Sequence, residues 1–153
     1  LKRSFSLLKA ERRMPSSEEL EKSKAILVSG GLEELKPDNE GWEKLYAREQ
    51  MLLNEFPEKA TCPVQVLHIG EGKIGALPGE FFAETGLKIK EGLDFPYFSI
   101  SLANDNVGYV PPAHEIEKGG YETWRCRISN LSTGSEELFR KKLLELIHEN
   151  KNP

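Results

Sequence analysis

The feature that most constrains this fold is a pair of short apolar runs separated by a glycine-rich turn. Residues 64–69 are rich in β-branched side chains, follow Pro63, and end at Gly70; residues 73–77 form the second run. Two such runs joined by a short turn containing glycine are typical of a β-hairpin. The chain must therefore build a sheet, and its helices must cover at least part of it.

Two helices are predicted before the hairpin. Ser16 and Glu19 form a capping box, which predicts a helix from about residue 17 to the glycines at 30 and 31. A second helix is predicted from near Asp38 to Pro57, because its apolar residues recur at helical spacing. We expect both helices to cover one side of the sheet.

The later part of the chain alternates strand and helix patterns. Up to residue 128, the patterns predict a helix at 80–91, a strand at 97–102, a loop at 103–112, a short helix ended by Gly119 and a strand at 121–128. A terminal helix is predicted to begin at 133–136. Its buried stripe is expected to consist of Phe139, Leu143, Leu146 and Ile147. The fold class is α/β, with α+β possible: a mixed β-sheet of about four to five strands flanked by helices, with two N-terminal helices. We expect one unit over 1–153, mainly helical over 1–60, with the strand and helix portion over 61–150.

Composition and charge exclude several classes of protein. The 153 residues are 38% hydrophobic and carry a net charge of −4, which does not favour nucleic acid as a partner. Two cysteines, Cys62 and Cys126, allow at most one disulfide, whose formation the sequence leaves open. No run is long enough to span a membrane. The chain begins Leu1-Lys2-Arg3 without an initiator methionine, so we expect a piece of a longer protein.

Polar residues follow two of the predicted strands, where binding and catalytic residues often gather. Glu80 follows Pro78 and Gly79, and Tyr109 follows Gly108. By residue type alone, Glu80 is expected to stabilise a helix N-terminus through its negative charge, and Tyr109 is expected to pack against other side chains. The three histidines, at 68, 114 and 148, show no metal-ligand spacing, and core or surface roles are expected for them.

An ordered set of motifs changes this interpretation. The set comprises residues 64–70, Ala-Leu-Pro-Gly-Glu-Phe at 76–81, Leu-Ala-Asn at 102–104, Gly-Tyr-Val-Pro-Pro at 108–112 and Gly-Gly-Tyr-Glu at 119–122, with Arg-Arg-Met-Pro at 12–15 and Tyr-Ala-Arg-Glu at 46–49. Together these motifs resemble the carboxyl-terminal part of the catalytic domain of the neutral/alkaline non-lysosomal ceramidase family, especially its bacterial members. The resemblance covers most of the chain.

The resemblance implies part of a zinc amidohydrolase that cleaves the N-acyl bond of ceramide or a related lipid amide. In that family two histidines, a glutamate and a tyrosine hold the zinc; Glu80 matches the glutamate and Tyr109 the tyrosine. Tyr121 matches a further tyrosine that contacts the scissile amide. The histidine ligands and the serine nucleophile belong to upstream segments, so the rest of its own catalytic domain is an implied partner. The isolated chain is expected to be inactive and to bind zinc weakly or not at all.

The implied roles suit the chemistry of these residue types. A carboxylate is a common oxygen ligand of zinc, and a phenol binds as phenolate when a cation favours its deprotonation. A neutral tyrosine such as Tyr121 donates its hydroxyl to a carbonyl oxygen that gains negative charge. Two alternatives stay open: a noncatalytic α/β interaction module in which Glu80 caps a helix and the tyrosines pack, or a hydrolase for a different amide or ester. Localisation is unknown, and secretion or periplasmic export is expected for the full-length protein.

Overall fold

The fold is described from a computed structural model that covers residues 1–28 and 39–149. The elements are β1 (Lys2–Glu11), α1 (Ser17–Val28), α2 (Asn39–Leu53), β2 (Lys59–Ile69), β3 (Gly72–Ala76), β4 (Glu80–Phe81), α3 (Ala83–Lys90), β5 (Tyr97–Ile100), β6 (Tyr109–Val110), α4 (Ala113–Lys118) and α5 (Ser135–His148). The predicted helix end at residues 30 and 31 and the predicted helix start near Asp38 lie outside the described residues.

Four strands form a mixed sheet in the order β1-β2-β3-β5. The predicted hairpin is confirmed: β2 and β3 are antiparallel, with Ile69 opposite Gly72. The strand β1, which the sequence analysis did not predict, pairs antiparallel with β2 from Lys2 opposite His68 to Glu11 opposite Lys59. Because β3 and β5 run parallel, the sheet is mixed, as predicted.

One face of this sheet packs against α5. The apolar stripe predicted for the terminal helix is confirmed, since Phe139, Leu143, Leu146 and Ile147 are all buried. Val64 and Val66 of β2 are fully buried in the same core cluster. Alternation along β2 therefore directs every second side chain toward α5.

The expectation that the two early helices cover the sheet is wrong, because α5 takes that place. Helices α1 and α2 pack against each other and hold the segment that follows α4. The Tyr46 ring meets the Trp124 ring edge to face, with centroids 5.3 Å apart, and Glu49 forms an ion pair of 2.8 Å with Arg127. Helix α1 has Ser23 as its only buried residue among those described, so it lacks the apolar stripe that a sheet requires.

The strand predicted at 121–128 is also wrong. Residues Tyr121–Thr123 form a short 3₁₀ helix, and Cys126 then makes an isolated antiparallel bridge with Ser129. The Arg13 guanidinium donates to the carbonyl oxygens of Thr123 and Ser129, at 2.9 and 2.8 Å. The Arg13 side chain thus gives the Thr123 carbonyl a donor and adds a second donor to the Ser129 carbonyl, which also accepts from the Cys126 amide at 3.2 Å.

Smaller differences concern element ends and the cysteines. The predicted helix at 80–91 begins only at Ala83, because Glu80–Phe81 forms the short strand β4. Strand β5 ends at Ile100, and Leu102 lies in the left-handed region with a φ of 54°. Cys62 and Cys126 are both buried and free, so neither forms the disulfide that counting allowed.

Candidate functional site

Glu80 and Tyr109 lie side by side in a second, two-stranded sheet. Strand β4 pairs parallel with β6, with Glu80 directly opposite Tyr109. The Glu80 amide donates to the Gly108 carbonyl oxygen at 2.8 Å, and the Tyr109 amide donates to the carbonyl oxygen of Ile128 at 2.8 Å. Both residues are half-buried. The structure thus brings the predicted carboxylate and phenol to neighbouring positions 29 residues apart in the chain.

Two glycines allow the backbones of this sheet to come close. A Cβ added at Gly79 would lie 2.7 Å from the Gly108 carbonyl oxygen, and one added at Gly108 would lie 2.2 Å from that of Ile128. Gly108 also has a φ of 78°, which a residue with a side chain rarely adopts. Glycine at both positions therefore lets β4 and β6 meet in the register that aligns Glu80 with Tyr109.

The asparagines of the preceding loop have structural roles in this arrangement. The Asn106 side-chain oxygen accepts a hydrogen bond of 2.9 Å from the Gly108 amide, which forms an Asx turn. The Asn104 side chain donates to the amide oxygen of Gln65 at 3.1 Å and so fixes the loop to β2. Both contacts position the loop that leads into Tyr109.

Tyr121 completes a group of three polar side chains. Its ring lies edge to face with that of Tyr109, with centroids 5.7 Å apart and planes 89° apart. A hydrogen bond to the Tyr121 hydroxyl, followed by partial loss of solvent and the negative charge of Glu80, raises the pKa of Tyr109 to about 12. The phenol is therefore neutral at pH 7 in the chain alone. A bound cation would act in the opposite direction, because it stabilises phenolate.

Tyr121 itself is 60% exposed. The exposed Tyr121 side chain, which lies against Tyr109, can meet a bound molecule from the solvent side. The donor set of one carboxylate and one phenol fits a zinc site in chemical type, although zinc usually takes three or four protein ligands. A metal could be held by Glu80 and Tyr109 only together with donors beyond this pair.

Comparison with known proteins supports a ceramidase fold. A crystal structure of neutral ceramidase from Pseudomonas aeruginosa matches 92% of this chain with a TM-score of 0.51 and 18% sequence identity. The chain has the fold of a segment of neutral ceramidase. It covers only 23% of that protein's chain. A second structure, of a ceramidase complexed with C2, matches 59% of this chain and 14% of its own, with a TM-score of 0.48 and 18% identity. No family model and no curated protein matches the chain.

The resemblance to ceramidases is thus confirmed at the level of the fold. Within this fold, Glu80 lies opposite Tyr109, and the Tyr121 ring lies against that of Tyr109. None of the helices within 1–28 and 39–149 is both long and apolar enough to cross a membrane.

The three histidines lie on other elements: His68 in β2, His114 in α4 and His148 at the end of α5. The Ser4 hydroxyl in β1 and the Nε2 atom of His68 in β2 are 3.3 Å apart across the paired strands. His148 is exposed at the end of α5. His114 has acidic neighbours, Glu84 and Glu115, and over the described ranges this is the only group of three or more His, Cys, Asp or Glu side chains close enough to share a metal ion.

Sequence reasoning missed the group around His114. Glu84 and His114 are 30 residues apart, so no spacing rule connects them. Only the parallel pairing of β4 with β6 could have predicted this group. It places Glu80 opposite Tyr109, and Glu84 and His114 follow these two residues by four and five positions.

Proposed function

We propose that this chain is part of a zinc-dependent amidohydrolase of the neutral ceramidase type, which hydrolyses the N-acyl bond of ceramide or a related lipid amide. The observation that carries the proposal is the pairing of Glu80 with Tyr109 in register, with Tyr121 against Tyr109, in a chain with the fold of a ceramidase segment. The rest of its own catalytic domain would be its partner, and the isolated chain would be inactive.

The roles follow from the chemistry of each side chain. Glu80 would supply an anionic oxygen to the zinc, and Tyr109 would supply a phenolate oxygen after losing its proton. Zinc polarises a carbonyl and lowers the pKa of a bound water toward about 7. Tyr121 would remain neutral and donate its hydroxyl to the amide oxygen as negative charge builds up on it.

In this proposal the chain supplies only two of the zinc ligands, Glu80 and Tyr109. A site with one carboxylate and one phenol lacks the third and fourth ligands that tight zinc binding requires. The remaining ligands and the nucleophile would come from other parts of the full-length protein. Since the half-buried pair is held by backbone hydrogen bonds on both strands, its geometry would already exist when those parts meet it.

The test uses the longest natural polypeptide that contains this chain. Purified protein is assayed for zinc content and for hydrolysis of a short-chain fluorescent N-acyl amide. Glu80→Gln and Tyr109→Phe are expected to lower both zinc content and activity. Tyr121→Phe is expected to keep the zinc but to lower kcat by about 10²–10³-fold, because it removes a hydrogen bond that strengthens in the transition state.

The matched control is Glu71→Gln, which neutralises an exposed carboxylate in the β2–β3 turn. This variant should keep both zinc and activity. Unchanged zinc content and activity in Glu80→Gln would refute the proposed site and favour a noncatalytic module. Zinc loss in that variant, with a different amide or an ester as the better substrate, would keep the site and replace ceramide as the substrate.

A further inference from the structure

A group of one histidine and two glutamates joins the first turns of α3 and α4. Nε2 of His114 lies 3.0 Å from Oε2 of Glu84 and 3.2 Å from Oε1 of Glu115. The ligating atoms of all three side chains lie within 4.8 Å of one another. The two helices are fixed relative to each other because each follows one strand of the paired β4–β6 ribbon.

These distances match those between ligands of a single metal ion. Two ligand atoms, each about 2.1 Å from a tetrahedral zinc, are separated by about 3.4 Å. Both contacts of the His114 nitrogen are close to this value, so the nitrogen is spaced from one oxygen of each carboxylate as two ligands of one ion would be. We propose that Glu84, His114 and Glu115 form a binding site for a divalent transition metal of the zinc type, separate from Glu80 and Tyr109.

Each carboxylate of the group already has a lysine partner. Lys88 pairs with Oε1 of Glu84, whereas His114 faces the other oxygen of that carboxylate. Lys118 lies 2.7 Å from Oε1 of Glu115, the same oxygen that His114 contacts. A metal would therefore meet Glu84 without displacing Lys88, and it would compete with Lys118 for one oxygen. We therefore expect weaker binding than at a site whose ligands have no lysine partners.

Exposure and ligand type define the metal further. The side chains of His114, Glu84 and Glu115 are 44%, 36% and 26% exposed, which leaves a fourth position open to water or a small ligand. The imidazole favours Zn²⁺, Co²⁺ or Ni²⁺ over Mg²⁺ and Ca²⁺, which prefer sites made only of oxygen ligands. The site is therefore expected to discriminate between these two classes of cation.

The test is titration of the purified chain with Zn²⁺ alone, followed by calorimetry and by competition with a chromophoric chelator. Binding at one site is expected, and excess Mg²⁺ should not displace the zinc. His114→Gln should weaken binding by at least about tenfold, as should Glu84→Gln. Co²⁺ bound to the unmodified chain should give visible absorption bands that His114→Gln abolishes.

The matched controls are His148→Gln, which removes an exposed imidazole on α5, and Glu80→Gln in the pair of the proposed function. Both should bind zinc as the unmodified chain does, with circular dichroism confirming that every variant is folded. The inference is overturned if the chain binds zinc no better than millimolar, or if His148→Gln or Glu80→Gln weakens binding as much as His114→Gln. Because the zinc titration needs no activity, its outcome is independent of whether the chain belongs to an amidohydrolase.

Discussion

Both faces of the four-stranded sheet carry large apolar side chains, but only one face is covered by a helix. On one face, the even-numbered residues of β2 and β1, such as Val66 and Leu8, are buried against α5. On the other face, Phe5, Leu7 and Phe98 are 48%, 60% and 68% exposed. Alternation along a strand thus separates the residues of the two faces, but it does not show which of two apolar faces packs against a helix.

The open face is more apolar than a sheet that meets only water requires. Phe98 lies beside Ile74, which in turn lies beside Leu67, so large apolar side chains form a continuous row across three strands. Large exposed apolar patches are rare on monomeric proteins, and where they occur they often mark interaction surfaces. In the matched neutral ceramidase this fold makes up less than a quarter of the chain. These observations agree with the proposal that the rest of a catalytic domain is the partner.

The largest expected effect is on the covered face. Phe139→Ala removes a fully buried ring that also meets the Phe81 ring edge to face at 5.2 Å. We expect the free energy of unfolding to fall by about 3–5 kcal/mol, because a cavity opens at the contact between helix and sheet. Leu138→Ala is the control: its side chain is 41% exposed on the same helix and should change stability by less than about 1 kcal/mol. Equal losses measured by urea denaturation would contradict the assignment of the buried face.

The second effect tests how tightly α5 packs on the sheet. A Cβ at Gly75 would lie 2.3 Å from the hydroxyl of buried Tyr97 and 2.9 Å from Leu143. Gly75→Ala should therefore destabilise the chain by about 1–3 kcal/mol through overpacking. Gly72→Ala, in the same strand, places its Cβ no closer than 3.5 Å to any atom and should have little effect. A similar urea midpoint for both variants would show that α5 yields to the added methyl group.

A smaller effect concerns pH at the edge of the covered face. Burial, together with the charges of Lys73 and Lys2, lowers the pKa of His68. The imidazole therefore binds a proton less readily in the folded chain than in the unfolded chain, where its pKa is about 6.5. Its contribution to the free energy of unfolding is present above that pKa and is lost as the pH falls through the lower pKa of the folded state. Between about pH 7 and about pH 5.5, the unmodified chain should lose more stability than His68→Gln does. Equal losses in urea titrations at the two pH values would exclude His68 as the cause.

Much of the covered face could be predicted from the sequence, because local patterns encode it. The stripe of α5 and the β2–β3 hairpin depend on residues near each other in the chain. Strand β1 could not be predicted in this way: it begins with Lys2 and Arg3, and it is stabilised by pairing with β2, whose residues lie far away in sequence. The segment after α4 alternates like a strand, yet bonds from Arg13 to its carbonyls hold it in a different conformation.

The candidate site shows the same limit. The register that places Glu80 opposite Tyr109 depends on the parallel pairing of two strands of only two residues each. Such short strands have no periodicity to detect. The resemblance to ceramidases, rather than local pattern, selected Glu80, Tyr109 and Tyr121. The group around His114 carried no motif and was found only from the structure.

The smallest expected effect is on the open face. Phe98→Thr keeps a residue that favours strands and removes a ring that is 68% exposed, so the free energy of unfolding should change by less than about 0.5 kcal/mol. Binding of a hydrophobic dye to the native chain should decrease, because the row of Phe98, Ile74 and Leu67 is interrupted. A loss of stability as large as that of Gly75→Ala would mean that Phe98 is covered in solution. Repeating the urea titration at several protein concentrations would then identify the cover, since a second copy makes the loss depend on concentration and a segment of the same chain does not.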